Sequence, residues 1–263
     1  MWTGPALLSL SQNVNNLARY LDRARFVMLP NQYGATPILR ARFNDAVFIS
    51  LNHCYLFASN EKVANSTLRA TFQSLECNGR LPAHYKPFKR WTGPLLQPSD
   101  VPVFPALLAD NSMRKFCVVR HPYTRLISCY RDKFEREPRG AGYRRKLREL
   151  GLPQGKRVSF AEFLEAVGKQ PQQLMNSHWR VQYYNVFLDM IRYDEIIRYE
   201  ELPQRLPSLV AGLYPAANAD VILSRHRHEQ SSDELVDRYL TPDLKVLAQN
   251  IYARDFETFG YAG

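Results

Sequence analysis

Apolar and polar positions along the chain alternate between a period of two and a period near 3.6, and those changes predict its elements. Ala46-Val-Phe-Ile-Ser-Leu51 and Cys54-Tyr-Leu-Phe-Ala-Ser59 are short β-prone runs separated by Asn52-His53. Ser66 to Glu76 then turns helical, with Leu68, Phe72 and Leu75 on one face and Asn65 or Ser66 as N-cap. This is a strand, a tight turn and a helix. Lys115-Phe-Cys-Val-Val-Arg120 predicts another strand, followed by His121-Pro122 and an amphipathic helix from Thr124 to Glu135. Ser159-Phe-Ala-Glu162 is a capping box opening a helix to about Val167. Met190 to Tyr199 predicts a further strand and Glu201 to Tyr214 a helix. Thr241-Pro-Asp sets an N-cap before a proline at the first helical position, and that helix runs to about Phe256.

Between these elements the pattern loosens. Residues 1–45 are mixed, with helical spacing from Asn13 to Phe26 and a loop from Pro30 to Pro37, and are expected to form an N-terminal extension packed on a domain of residues 46–263. Residues 78–111 hold six of the 17 prolines, an irregular excursion of the kind that often carries function. Positions 136–157 are basic and glycine-containing and are expected to be an exposed insertion. Strands alternating with helices, without repeats or a linker, predict an α/β fold: a single domain with a mainly parallel sheet flanked by helices.

Composition narrows the function. With 263 residues, 45% hydrophobic and 23% charged, the chain is of ordinary globular make-up. The 35 Lys and Arg against 25 Asp and Glu leave a charge of +10, which admits nucleic acid, an anionic membrane surface or a phosphate-rich ligand. The basic run Arg136 to Arg148 has only Tyr143 as an interleaved aromatic, and no nucleic-acid-binding motif accompanies it. No apolar stretch approaches the roughly 20 residues of a membrane span. The N-terminus lacks a basic n-region, so no signal peptide is expected. Cys54, Cys77, Cys117 and Cys129 form no CxxC pair, and free thiols are expected in a cytosolic chain. His226 and His228 form an HxH with no third ligand, so no metal site is expected.

Two turns concentrate the chemistry. Lys62-Val-Ala-Asn-Ser-Thr67 puts small residues after a strand and at a helix start, where backbone N–H groups converge on an anion with help from the helix dipole. Lys62 adds a mobile charge, and Ser66 and Thr67 add donors. The logic is that of a P-loop, but no GxxxxGK[ST] is present, which disfavours a nucleotide kinase. The second turn, Val119-Arg-His-Pro-Tyr-Thr-Arg-Leu-Ile-Ser-Cys-Tyr-Arg131, sets Arg120 at a strand end and Ser128 eight residues on, inside the helix. Both could meet one phosphate, Arg120 through its forked donors. Two strand-end anion sites suit a ligand with separated phosphate groups.

Together these segments resemble the two cofactor motifs of sulfotransferases that use 3′-phosphoadenosine 5′-phosphosulfate (PAPS), especially the carbohydrate sulfotransferases that include the chondroitin and HNK-1 enzymes. Glu61 replaces the usual proline before Lys62, and His121 stands where an acidic residue or Asn is common. The likeness continues through His178-Trp179, Tyr193 to Leu202, and Tyr239 to Tyr261, in order. It implies a P-loop-like sulfotransferase fold and PAPS as donor, with adenosine 3′,5′-bisphosphate as product. Lys62 would contact the phosphosulfate, the backbone of Val63, Ala64, Asn65, Ser66 and Thr67 would cradle the 5′-phosphate, and Arg120 and Ser128 would hold the 3′-phosphate. Apart from the resemblance, Arg225 and Arg227 either close over the cofactor from the C-terminal side or form a solvated basic face. The partner implied is a hydroxyl-bearing acceptor, a glycan foremost, with no nucleic acid and no stable membrane insertion. The general base is expected to be His84, on the proline-rich excursion, with His178 as the rival and a carboxylate the other choice. Vertebrate members of the family are Golgi membrane proteins, so the resemblance implies either a bacterial cytosolic relative or a trimmed lumenal domain. Asn65-Ser66-Thr67 is also an N-glycosylation sequon inside the phosphosulfate loop, which favours the cytosol.

Overall fold

The computed structural model describes residues 37–81, 85, 93–136, 138–216 and 232–263. Helix α1 (Pro37–Ala46) leads into strands β1 (Val47–Ser50) and β2 (Tyr55–Ala58), an antiparallel hairpin. Strand β2 pairs in parallel with β3 (Arg114–Val119), and β3 in parallel with β4 (Glu195–Arg198), in the order β1-β2-β3-β4. Parallel neighbours require crossovers. Between β2 and β3 these include α2 (Asn65–Glu76) and α3 (Phe104–Ala109). Between β3 and β4 lie α4 (Pro122–Tyr130), continued by a π-helical turn Arg131–Glu135, then α5 (Gly140–Glu149), α6 (Phe160–Gly168) and the short α7 (Gln182–Asn185). After β4 come α8 (Leu202–Leu213), α9 (Ser232–Tyr239), α10 (Pro242–Ile251) and α11 (Ala253–Phe259).

Successive strand residues face opposite sides, and both sides are buried in β1, β2 and β3, whereas Ile196 of the edge strand β4 is exposed. Phe116 and Val118 pack with Phe72 of α2 and with Leu206 and Val210 of α8. Cys117 and Val119 pack on the other face with Phe43 of α1, Phe104 of α3 and Phe259 of α11. β1, β2 and the Phe116–Val119 part of β3 therefore read as nearly continuous apolar runs, as strands covered on both faces do. A third apolar cluster joins α4, α5, α6 and α10 around Phe163 and Trp179.

Several expectations are corrected. Residues 136–157 are not simply an exposed insertion: α5 is amphipathic, and Tyr143, Leu147 and Leu150 enter the third cluster while Arg144, Arg145 and Arg148 face solvent. The apolar i, i+4 pair was outweighed in the sequence by the surrounding basic residues. Of Met190–Tyr199 only four residues are strand, because the chain turns at Phe187 (φ 54°) and Met190 N–H bonds to the Phe187 carbonyl. The C-terminal helix breaks at Tyr252, which separates α10 from α11 and puts its hydroxyl on the Trp179 carbonyl at 2.6 Å. The capping box at Ser159 and Glu162 forms as predicted. Asn13–Phe26 lies outside the described residues.

Candidate active site

The parallel order brings the carboxyl ends of β2, β3 and β4 to one edge of the sheet, where open α/β sheets bind ligands. From β2 the chain enters a turn in which Lys62 (φ 69°) and Ala64 (φ 58°) are left-handed and Val63, between them, is not. Each non-glycine residue held this way costs roughly 1–2 kcal/mol, so the surroundings must impose the conformation. They do. Val63 is fully buried in the core beside α2, Asn60 donates its amide to the Val118 carbonyl at 3.2 Å, and Arg125 donates Nε to the Glu61 carbonyl at 2.9 Å. Alternating handedness turns neighbouring N–H groups toward one side, a concavity for an anion at the start of α2.

The N-cap of α2 is Ala64, without a side-chain cap, in place of the expected Asn65 or Ser66. Asn65 is instead the first helical residue, 6% exposed, and neither polar atom of its side chain has a hydrogen-bond partner. Leaving a buried amide unmatched costs about 1–3 kcal/mol. The orphaned amide and the converging N–H groups fit an anionic ligand at this turn. Ser66 is exposed and Thr67 half-buried in the same helical turn.

Arg120 follows β3 and meets that loop directly. Its Nη1 donates to the Lys62 carbonyl at 3.3 Å, its Nε donates to Thr124 Oγ1 at 3.0 Å, and its guanidinium lies 4.5 Å over the Tyr199 ring, just past β4. Ser128 is one turn beyond Thr124 on the same face of α4, and half-buried. Asp132, a further turn on, accepts from Lys62 Nζ at 3.0 Å. Lys62 thus reaches both ends of a stripe formed by Arg120, Thr124, Ser128 and Asp132. Burial acts to raise the Asp132 carboxyl pKa, but hydrogen bonds and charge from Lys133 and Lys62 outweigh it and hold the group at about 2. Thr124 and Asp132 went unnoticed in the sequence, although their spacing from Ser128 was available. His121 caps α4: its Nδ1 accepts from Tyr123 N–H at 3.2 Å while Nε2–H donates to the Ala262 carbonyl at 3.0 Å.

Among the described residues, His178 is a histidine set beside the loop. Its Nε2 is 4.0 Å from Glu61 Oε2, beside Lys62. Asn176 Oδ1 accepts from both the backbone N–H and Nδ1 of His178, at 3.1 and 2.8 Å, and Asn176 donates its amide to Glu149 at 2.9 Å. That chain fixes the tautomer, with hydrogen on Nδ1 and the lone pair on Nε2. Burial pushes the imidazole pKa down to about 4, with Lys133, Lys62 and Arg125 opposing protonation and Glu61 favouring it. His178 is neutral near pH 7. His84, Arg225 and Arg227, with His226 and His228, lie outside the described residues.

Beneath these groups is a buried polar layer. Arg125, 2% exposed, donates Nε, Nη1 and Nη2 to the carbonyls of Glu61, Arg180 and Ser177, each at 2.9 Å. Gln182 donates to the Arg120 carbonyl and accepts from Arg120 N–H, at 2.8 and 2.9 Å, while accepting from Asn60 at 3.0 Å. Asp255 caps α7, accepting from the N–H groups of Gln182 and Tyr183 at 2.8 and 2.9 Å. Replacing Arg125 by Met leaves buried carbonyls without donors, at about 1–3 kcal/mol each. Urea unfolding of Arg125→Met is expected to lose at least about 3 kcal/mol. A loss below about 1 kcal/mol would remove Arg125 from this role.

Comparison with known proteins agrees with this geometry. The profile of the Sulfotransferase family matches residues 9–262. Human carbohydrate sulfotransferase 14 is 29% identical over 157 residues, 56% of this chain and 42% of that protein. The zebrafish protein of the same name is 26% identical over 242 residues, 87% of this chain and 65% of its own length, and zebrafish carbohydrate sulfotransferase 11 is 32% identical over 102 residues, 34% and 29%. The aligned regions therefore cover less than two thirds of those relatives. No solved structure matches the chain. With a profile matching almost from end to end, the chain belongs to the sulfotransferase family.

Proposed function

We propose that the chain transfers a sulfuryl group from PAPS to a carbohydrate hydroxyl. The observation that carries this is the contact between the two strand-end motifs, Arg120 Nη1 on the Lys62 carbonyl, which makes two anion-binding turns into one site. PAPS, when bound, supplies an activated sulfuryl group on a nucleotide whose phosphates are far apart. The backbone N–H groups of Val63 to Thr67 would hold its 5′ end and Arg120 with Ser128 its 3′-phosphate. Lys62 Nζ, released from Asp132, would neutralise charge developing on the leaving oxygen. Such positioning and charge stabilisation supply most of the catalysis in the related transfer of phosphoryl groups. His178 Nε2 would accept the acceptor hydroxyl's proton as the new S–O bond forms. Of the two histidines open as base, this one has its lone pair fixed toward the loop.

Lys62→Ala is expected to abolish sulfate transfer while leaving the fold intact, with at most a small drop in melting temperature from loss of the partly exposed ion pair with Asp132. His178→Gln is expected to lower kcat by about 10²–10⁴. Because the His178 pKa is depressed, the wild-type kcat/KM should stay level as pH falls through 6.5 and decline only on approaching about 4. An acid limb centred near 6.5, or a near-normal kcat in His178→Gln, would exclude His178 as base.

A cytosolic location is part of the same proposal. No helix among the described residues is long and apolar enough to cross a membrane. All four cysteines are free, and burial pushes the Cys129 thiol up to about 12, which disfavours the reactive thiolate. The buried Asn65 side chain also leaves no room for a glycan in the folded state. Denatured material from the native source should titrate four thiols and have the mass of an unglycosylated chain. A disulfide, or a glycan on Asn65, would assign the protein to a secretory lumen instead.

A further inference from the structure

Glu61 is where this loop departs from the motif it resembles, with a carboxylate in the place of the usual proline. Its backbone is fixed by Arg125, which donates Nε to the Glu61 carbonyl at 2.9 Å. Its half-buried side chain sets Oε2 4.0 Å from His178 Nε2. In the resting protein that contact is idle. His178 gives its Nδ1 hydrogen to Asn176, so Nε2 presents a lone pair to a carboxylate that also has only lone pairs to offer. The two attract once Nε2 carries a proton. Burial and the neighbouring cations act the opposite way: Lys133 of the π-helical turn, Lys62 of the same loop and Arg125 of α4 all disfavour an imidazolium. Asp132, the carboxylate beside both lysines, is already engaged with Lys62 at 3.0 Å and Lys133 at 2.9 Å. Glu149 reaches the ring through the Asn176 amide. On α2, burial lowers the Arg69 pKa and Glu61 opposes that shift, so the same carboxylate also faces a fixed cation.

We propose that Glu61 is a positioning residue for the transfer step, the counter-charge that stabilises His178 as it becomes an imidazolium. As the acceptor oxygen bonds to sulfur, its proton passes to the Nε2 lone pair, and the electron pair of the breaking S–O bond stays on the leaving phosphate oxygen. The proton lands on the atom that faces Glu61 Oε2, so positive charge develops where a carboxylate already lies. An attraction absent before the reaction and present in the transition state lowers the barrier, whereas one equal in both would not. Resting on the sulfotransferase reading with His178 as base, this role adds a second residue to the proton transfer, one particular to this loop.

The test is a cycle of Glu61→Gln and His178→Gln in the intact protein, with PAPS as donor and unsulfated chondroitin as acceptor. Glu61→Gln alone is expected to lower kcat by about tenfold to a hundredfold, the scale of one charge-assisted contact, with the affinity for adenosine 3′,5′-bisphosphate unchanged. In the His178→Gln background the same substitution should cost less than about twofold, since Glu61 acts through His178. Glu61→Asp should recover part of the loss. Because Glu61 favours the protonated ring, its removal moves the acid limb of kcat/KM further below about 4. The ring itself gives a readout that needs no turnover. By NMR at about pH 4.5, His178 should be less protonated in Glu61→Gln than in the wild type. Equal losses of kcat in the two backgrounds, an acid limb moved up toward about 6.5, or a ring equally protonated in both proteins overturns the role of Glu61 and leaves the sulfotransferase reading standing. Absence of both nucleotide binding and transfer overturns that reading, and the role of Glu61 falls with it.

Discussion

The buried guanidinium of Arg125 is the constraint on which the rest of the site depends. A charge carried into the interior has to find compensation, and here it finds it in three backbone carbonyls, those of Glu61, Ser177 and Arg180. The planar fork of Arg spans three such acceptors in one geometry, which a lysine ammonium on a flexible stem would not. Those carbonyls belong to the candidate anion-binding turn and to the segment that carries His178. One side chain of α4 therefore sets the distance between the turn after β2, the helix after β3 and the candidate base.

The strain in the turn follows from this arrangement. Lys62 and Ala64 adopt left-handed backbone without being glycine, and they keep it because Arg125 fixes the residue before Lys62 and Val63 is locked in the core. The result is a preformed concavity, with little reorganisation left for ligand binding. Gln182 does the same for the other motif, pairing with both the N–H and the carbonyl of Arg120 and with Asn60 below β2. Asp255 holds Gln182 in turn from α11. Remote helices thereby support the carboxyl edge of the sheet, where the candidate site lies, through a continuous polar layer.

Much of this was legible in the sequence where one local rule governed. The apolar runs at Val47, Tyr55 and Lys115 became strands, and the turns after them carried Lys62, Arg120 and Ser128 because small residues and a strand end can be read in a short window. The polar layer could not be read that way. Asn60, Arg125, Gln182 and Asp255 are separated by long stretches of chain, and polar residues of their types are ordinarily solvent-facing. Only the folded topology puts them together. The apolar stripe of α5 was hidden for the opposite reason, since its basic neighbours dominate the local composition. The link from Asn176 to His178 was not read from the sequence, because its direction toward Glu61 depends on how Arg125 folds that segment back.

The central claim is that the turns after β2 and β3 form one site for a nucleotide with separated phosphates. Isothermal titration of adenosine 3′,5′-bisphosphate against adenosine 5′-monophosphate, in the wild type and in Arg120→Ala, tests it most directly. The bisphosphate is expected to bind the wild type at least about tenfold more tightly, the value of one to two charge-assisted contacts, and Arg120→Ala to remove most of the difference. Equal affinity for the two nucleotides in the wild type, or an advantage of the bisphosphate that persists without Arg120, would contradict it.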